Sequence, residues 1–136
     1  MRIITLEPDY SNINAIYNTI EKIAKTNEYA VHQVLTTRKP NTVLNYLEKH
    51  RGELYILSLI DNSEASVALV HTIRQLDPSA QLLIITDEAS KEIASYITTM
   101  DHTDVLYKTP EQSYEELLTT PFMNYYAAYI RNVKSK

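Results

Sequence analysis

The sequence predicts a single doubly wound α/β domain, a parallel β-sheet with helices on both faces. Three observations predict it. Apolar runs rich in β-formers alternate five times with segments of helical periodicity. The connections between them are short. The central run, LYILSLI at 54–60, is apolar without interruption, as a strand covered on both faces must be.

RIITL at 2–6 is the first strand. A helix follows from Asp9 or Ser11, with Ile13, Ile16, Tyr17, Ile20, Ile23 and Ala24 recurring on one face. YAVHQVLTT at 29–37 is the second strand. Pro40 and Asn41 open a second helix carrying Val43, Leu44 and Leu47, and Gly52 is expected to close it as a left-handed cap. The third strand is 54–60. Ser63 or its neighbours cap a third helix with Leu69, Val70, Ile73 and Leu76, which Asp77-Pro78 stops. QLLIIT at 81–86 is the fourth strand. A polar helix with Ile93, Ile97 and Met100 is expected over about 89–100, and DVLY at 104–107 is the fifth strand. The last helix starts near Pro110 or Ser113 and runs to about Val133, kinked or split at Pro121. Five such units with right-handed crossovers predict the flavodoxin-like (βα)5 strand order 2-1-3-4-5.

Composition narrows the function. A length of 136 residues is one domain with a core of its own, 1–136. No apolar run reaches the roughly 18 residues of a membrane span. The N-terminus turns acidic too early for a signal peptide, so a cytoplasmic location is expected. The absence of cysteine excludes disulfides and thiolate metal sites. A net charge of −4 argues against direct contact with nucleic acid. The single glycine, Gly52, excludes phosphate-cradling glycine loops.

In a doubly wound sheet the chemistry sits at the C-terminal ends of the strands. Those ends carry Glu7-Pro8-Asp9, Ser58, Thr86 and Lys108. Together they resemble the receiver domain of bacterial response regulators, over the whole chain. Receivers place an acidic pair after strand 1, a phospho-accepting Asp after strand 3, a Thr or Ser after strand 4 and a Lys after strand 5. Glu7, Pro8 and Asp9 fall at the acidic position, Ser58 at the phosphoacceptor, Thr86 at the hydroxyl and Lys108 at the lysine. Val105 falls at the switch-aromatic position. The 22-residue step from Thr86 to Lys108, and the segment TIRQLDPSAQLLIIT, resemble the quorum-sensing and competence regulators whose receiver precedes a LytTR-type DNA-binding domain.

The resemblance implies a carboxylate that attacks a phosphodonor, a Mg²⁺ ion held by hard oxygens, and a lysine that pairs with the phosphoryl group. Measured against it, the sequence is degenerate. Ser58 cannot form an acyl phosphate, and a neutral serine needs an adjacent base. Pro8 offers no side-chain ligand where a second acid is usual. No metal, cofactor or catalytic residue is therefore expected, and the chain is not expected to be an enzyme. Lys108 is expected to pair with Glu7 or Asp9. Asp61, three residues past Ser58, has the wrong strand parity for a substitute acceptor and reads as a loop or cap residue. No nucleophile elbow surrounds Ser58, and His32, His50, His71 and His102 are scattered. Tyr125, Tyr126 and Tyr129 read first as a half-buried helix face on the sheet, and second as a partner surface.

The expected function is a phosphorylation-independent receiver domain in a two-component-type transcription regulator, acting through a protein partner or a homodimer. Contact with DNA is expected only through a separate LytTR-type domain following Lys136. The alternative is a stand-alone partner-binding protein with no such domain; a third possibility is a working receiver that uses an unexpected acid.

Overall fold

The computed structural model describes residues 1–59, 63–87 and 101–134. Five strands form one parallel sheet: β1 (Arg2–Leu6), β2 (His32–Thr37), β3 (Leu54–Ser58), β4 (Gln81–Thr86) and β5 (Thr103–Tyr107). Their order is β2-β1-β3-β4-β5, as the alternation of elements predicts. The expected helix near 89–100, with Ile93, Ile97 and Met100, lies outside the described residues, as does Asp61.

Strand parity divides the core in two. On one face Ile3, Leu54, Ile56, Leu83 and Ile85 pack under α1 (Tyr10–Asn27) and the last helix, α4 (Tyr114–Lys134). On the other, Ile4, Leu6, Tyr55, Leu57, Leu82 and Ile84 pack under α2 (Pro40–Leu47) and α3 (Ser63–Leu76). Every residue of β3 is buried, which is why its sequence lacks alternation.

The helix ends have local causes. The Asp9 carboxylate accepts the Asn12 N–H and starts α1. Glu28 ends α1 in the left-handed region (φ 56°), and the Tyr29 N–H reaches back to the Ala24 carbonyl. Tyr29 then stacks on Tyr126 at 3.9 Å, and the Ala30 N–H donates to the Tyr126 hydroxyl. These contacts occupy residues 29 and 30, so β2 begins at His32 rather than at 29.

Gly52 is not a left-handed cap; among the described residues only Glu28 and His102 have positive φ. The end of α2 is held by the Arg51 guanidinium, which donates to the Leu47 and His50 carbonyls. Glycine at 52 answers a different demand: a Cβ there would sit 3.0 Å from Ile4 Cδ1, where the chain passes close over β1. The last helix starts at a Ser113 cap, whose hydroxyl accepts the Glu116 N–H. It runs through Pro121 without splitting. Its buried face of Leu117, Leu118, Phe122 and Tyr126 packs on the sheet across that position.

Candidate functional site

The C-terminal edge of the sheet brings most of the sequence-predicted residues together. The register pairs Leu6 with Leu57, which sets Glu7 beside Ser58. Both side chains belong to the α1/α4 face by parity, and both residues are only 2% exposed. The Ser58 hydroxyl has no hydrogen-bond partner. One Glu7 oxygen weakly accepts the Asp9 N–H (3.3 Å) and the Asn12 side-chain amide (3.5 Å), and the other has no partner. Two residues back on the same face, the Thr5 hydroxyl is likewise buried and unpartnered.

Thr86 and Lys108 are neighbours, since the Lys108 N–H donates to the Thr86 carbonyl at 2.8 Å. Thr86 belongs to the opposite face, and its hydroxyl donates to the Leu59 carbonyl at 3.1 Å. The expected Lys108 ion pair with Glu7 or Asp9 is not made. Its Nζ donates to the Thr109 carbonyl at 3.1 Å and lies 4.9 Å from the centre of the Tyr114 ring. Val105 packs on the α2/α3 side.

Tyr114 is the residue that sequence reasoning missed here. It stands in the first turn of α4, 6% exposed, with an unpartnered hydroxyl. Burial pushes its phenol up to about 12, and the Glu7 and Asp9 carboxylates add to the shift. The available signal was the Ser113 cap, which fixes Tyr114 as the first helical residue facing the sheet.

The acidic corner is divided. Asp9 is exposed and spends a carboxylate oxygen on the helix cap. Pro8 is exposed, and its carbonyl accepts the Arg38 Nε–H at 3.2 Å. Among the described residues no three His, Asp, Glu or Cys side chains come together as a metal site.

This arrangement of sheet and helices recurs in solved structures. The receiver domain of RcsB from Salmonella enterica serovar Typhimurium, solved with a phosphomimetic, aligns with 79% of this chain and 77% of its own, at 20% identity and a TM-score of 0.65. The chain has the fold of a response-regulator receiver domain. The receiver fold also aligns it with RcsB in a DNA complex (97% of this chain, 18% identity, TM-score 0.72), of which it spans 61%. A pilus assembly-related protein from Burkholderia pseudomallei matches 93% of this chain over 90% of its own, at 15% identity and a TM-score of 0.71. No protein-family model and no curated protein sequence matches the chain. No helix among the described residues is long and apolar enough to cross a membrane.

The tyrosines of α4 serve packing first. Tyr126 is buried on Tyr29, and the Tyr125 hydroxyl donates to Asp104.

Proposed function

We propose that this is a receiver-like regulatory domain that works through protein contacts and carries out no phosphotransfer. The observation that carries the reading is the Ser58 side chain. It stands at the end of β3, where a receiver needs its nucleophile. It is a hydroxyl rather than a carboxylate, and no base is hydrogen-bonded to it.

The surroundings support the same reading. A divalent cation is a poor fit, because among the described residues Glu7 is the buried carboxylate at this corner while Asp9 caps α1. Arg38 sets a positive charge on the Pro8 carbonyl. Magnesium loses little by staying hydrated when so few hard oxygens converge. Lys108, which would meet a phosphoryl group, is engaged with Thr109 and the Tyr114 ring.

The domain would act, in the cytoplasm, as part of a transcription regulator whose DNA contacts belong to a separate LytTR-type domain. The 22-residue step from Thr86 to Lys108 favours that subgroup. A stand-alone partner-binding role is the second reading, favoured by the near end-to-end match with the pilus assembly-related protein.

Intact-mass analysis after incubation with acetyl phosphate and Mg²⁺ tests the loss of phosphotransfer. The expected result is an unchanged mass. A stoichiometric phosphate adduct on any residue would overturn the proposal.

A further inference from the structure

Beside the acidic corner a groove of about 480 Å³ opens between the first turns of α1 and the end of β2. Ile13 and Pro8 form its apolar part, Tyr10 stands on one side, and Thr36, Arg38 and Lys39 on the other. We propose that this groove docks an extended acidic segment of a partner protein, with carboxylates on Arg38 and Lys39 and an apolar side chain against Tyr10 and Ile13. The inference names the kind of partner for the contact-based role proposed above, and rests on that reading.

Four features carry it. Tyr10 is the most exposed large hydrophobic residue described, at 65%. The Arg38 guanidinium lies 5.8 Å from the centre of the Tyr10 ring, and its Nε–H is fixed on the Pro8 carbonyl, so its terminal N–H groups are held beside the groove. Neither Arg38 nor Lys39 makes an ion pair among the described residues. In a chain of net charge −4, two adjacent unneutralised cations are a local reversal of sign. The acids flanking Pro8 do not line the groove: Glu7 is buried and Asp9 is turned to the α1 cap.

The shape suits an extended chain. Among the described residues β2 is an edge strand, paired with β1 alone, and Thr36 and Thr37 at its end line the groove. A segment running along that edge meets backbone polar groups, both cations and the tyrosine ring together.

The probe is a fluorescein-labelled hexapeptide of alternating glutamate and leucine, followed by fluorescence polarisation on the full chain. A lysine–leucine hexapeptide serves as the control. Saturable, salt-sensitive binding of the glutamate peptide alone is expected. Arg38→Gln with Lys39→Gln should weaken it about tenfold, and Tyr10→Ala should weaken it too. Lys25→Gln with Lys49→Gln removes the same charge from exposed positions elsewhere and should leave binding unchanged. Circular dichroism of each variant checks the fold. The docking inference is overturned by equal loss in the two double variants, by absence of saturable binding, or by equally effective competition from inorganic phosphate. These outcomes are separate from the phosphodonor result: an unmodified mass with no peptide binding removes the docking inference and leaves the loss of phosphotransfer standing.

Discussion

The two ends of the sheet treat buried polar atoms differently. At the N-terminal end they are paired. The buried Tyr55 hydroxyl donates to Asp77 at 2.7 Å and accepts the Gly52 N–H at 3.2 Å. The Arg74 guanidinium donates to the Pro78, Ala80 and His102 carbonyls and to the Thr103 hydroxyl, tying α3 to the starts of β4 and β5. Among the described residues only its Nε is left without a partner there. At the C-terminal end, Thr5, Glu7, Ser58 and Tyr114 each bury an oxygen with none. Buried polar groups left unpaired cost stability and are uncommon in folded proteins. One end of the sheet therefore uses its polar groups to hold the fold, while the other buries polar oxygens that bond to nothing.

That contrast breaks most sharply at Arg74. Arg74→Ala removes all four bonds at once and should cost about 2–4 kcal/mol, read from urea unfolding. A cost under about 0.5 kcal/mol would mean that the N-terminal end is not the better-tied one.

A smaller effect is expected at Tyr55, where Tyr55→Phe should cost about 1–2 kcal/mol near neutral pH. Alkaline pH sharpens the same point. Burial, and next the bond to Asp77, raise the Tyr55 phenol well above its ordinary value. Tyr125 is raised by burial and by Asp104, and Tyr114 reaches about 12. Above about pH 10 the unfolded chain gives up phenolic protons that the folded chain still holds. Stability is therefore full below that pH and falls as pH rises through it. Urea midpoints between pH 9 and 11.5 should decline for the wild-type chain and decline less for Tyr55→Phe. Parallel declines would place the alkaline sensitivity elsewhere.

The smallest effect belongs to the C-terminal end. Ser58→Ala removes a buried hydroxyl that bonds to nothing and should leave stability unchanged or raise it, by up to about 1 kcal/mol. A loss above about 1 kcal/mol would show that Ser58 is structural, and the contrast between the ends would be weaker.

Much of this was legible in the sequence. The alternation of periods located all five strands, and right-handed crossovers gave their order. Pro40 and Asp77-Pro78 marked helix ends by their own chemistry. The rim positions Glu7, Ser58, Thr86 and Lys108 followed from the strand ends. What the sequence hid was which of the available partners each side chain takes in the fold. Lys108 chose the Thr109 carbonyl and the Tyr114 ring over Glu7, and strand spacing carries no trace of that choice. Gly52 looked like a cap because it follows a helix, yet the constraint on it comes from Ile4 on another strand. The shortened β2 depends on Tyr126, 96 residues from the Ala30 it binds. Arg38 on the Pro8 carbonyl joins a loop to the rim in the same unreadable way.

The most direct measurement compares three proteins in one acetyl phosphate assay with Mg²⁺: the unaltered chain, Ser58→Asp, and Pro8→Asp with Ser58→Asp. Phosphoryl transfer needs both a nucleophile and a metal to gather the charge. If the receiver fold is intact and only its chemistry is missing, the unaltered chain stays unlabelled. The double variant should then label faster than Ser58→Asp and gain thermal stability on adding Mg²⁺, as its crowded carboxylates bind the ion. Labelling of the unaltered chain at the rate of the double variant would contradict the loss of phosphotransfer outright.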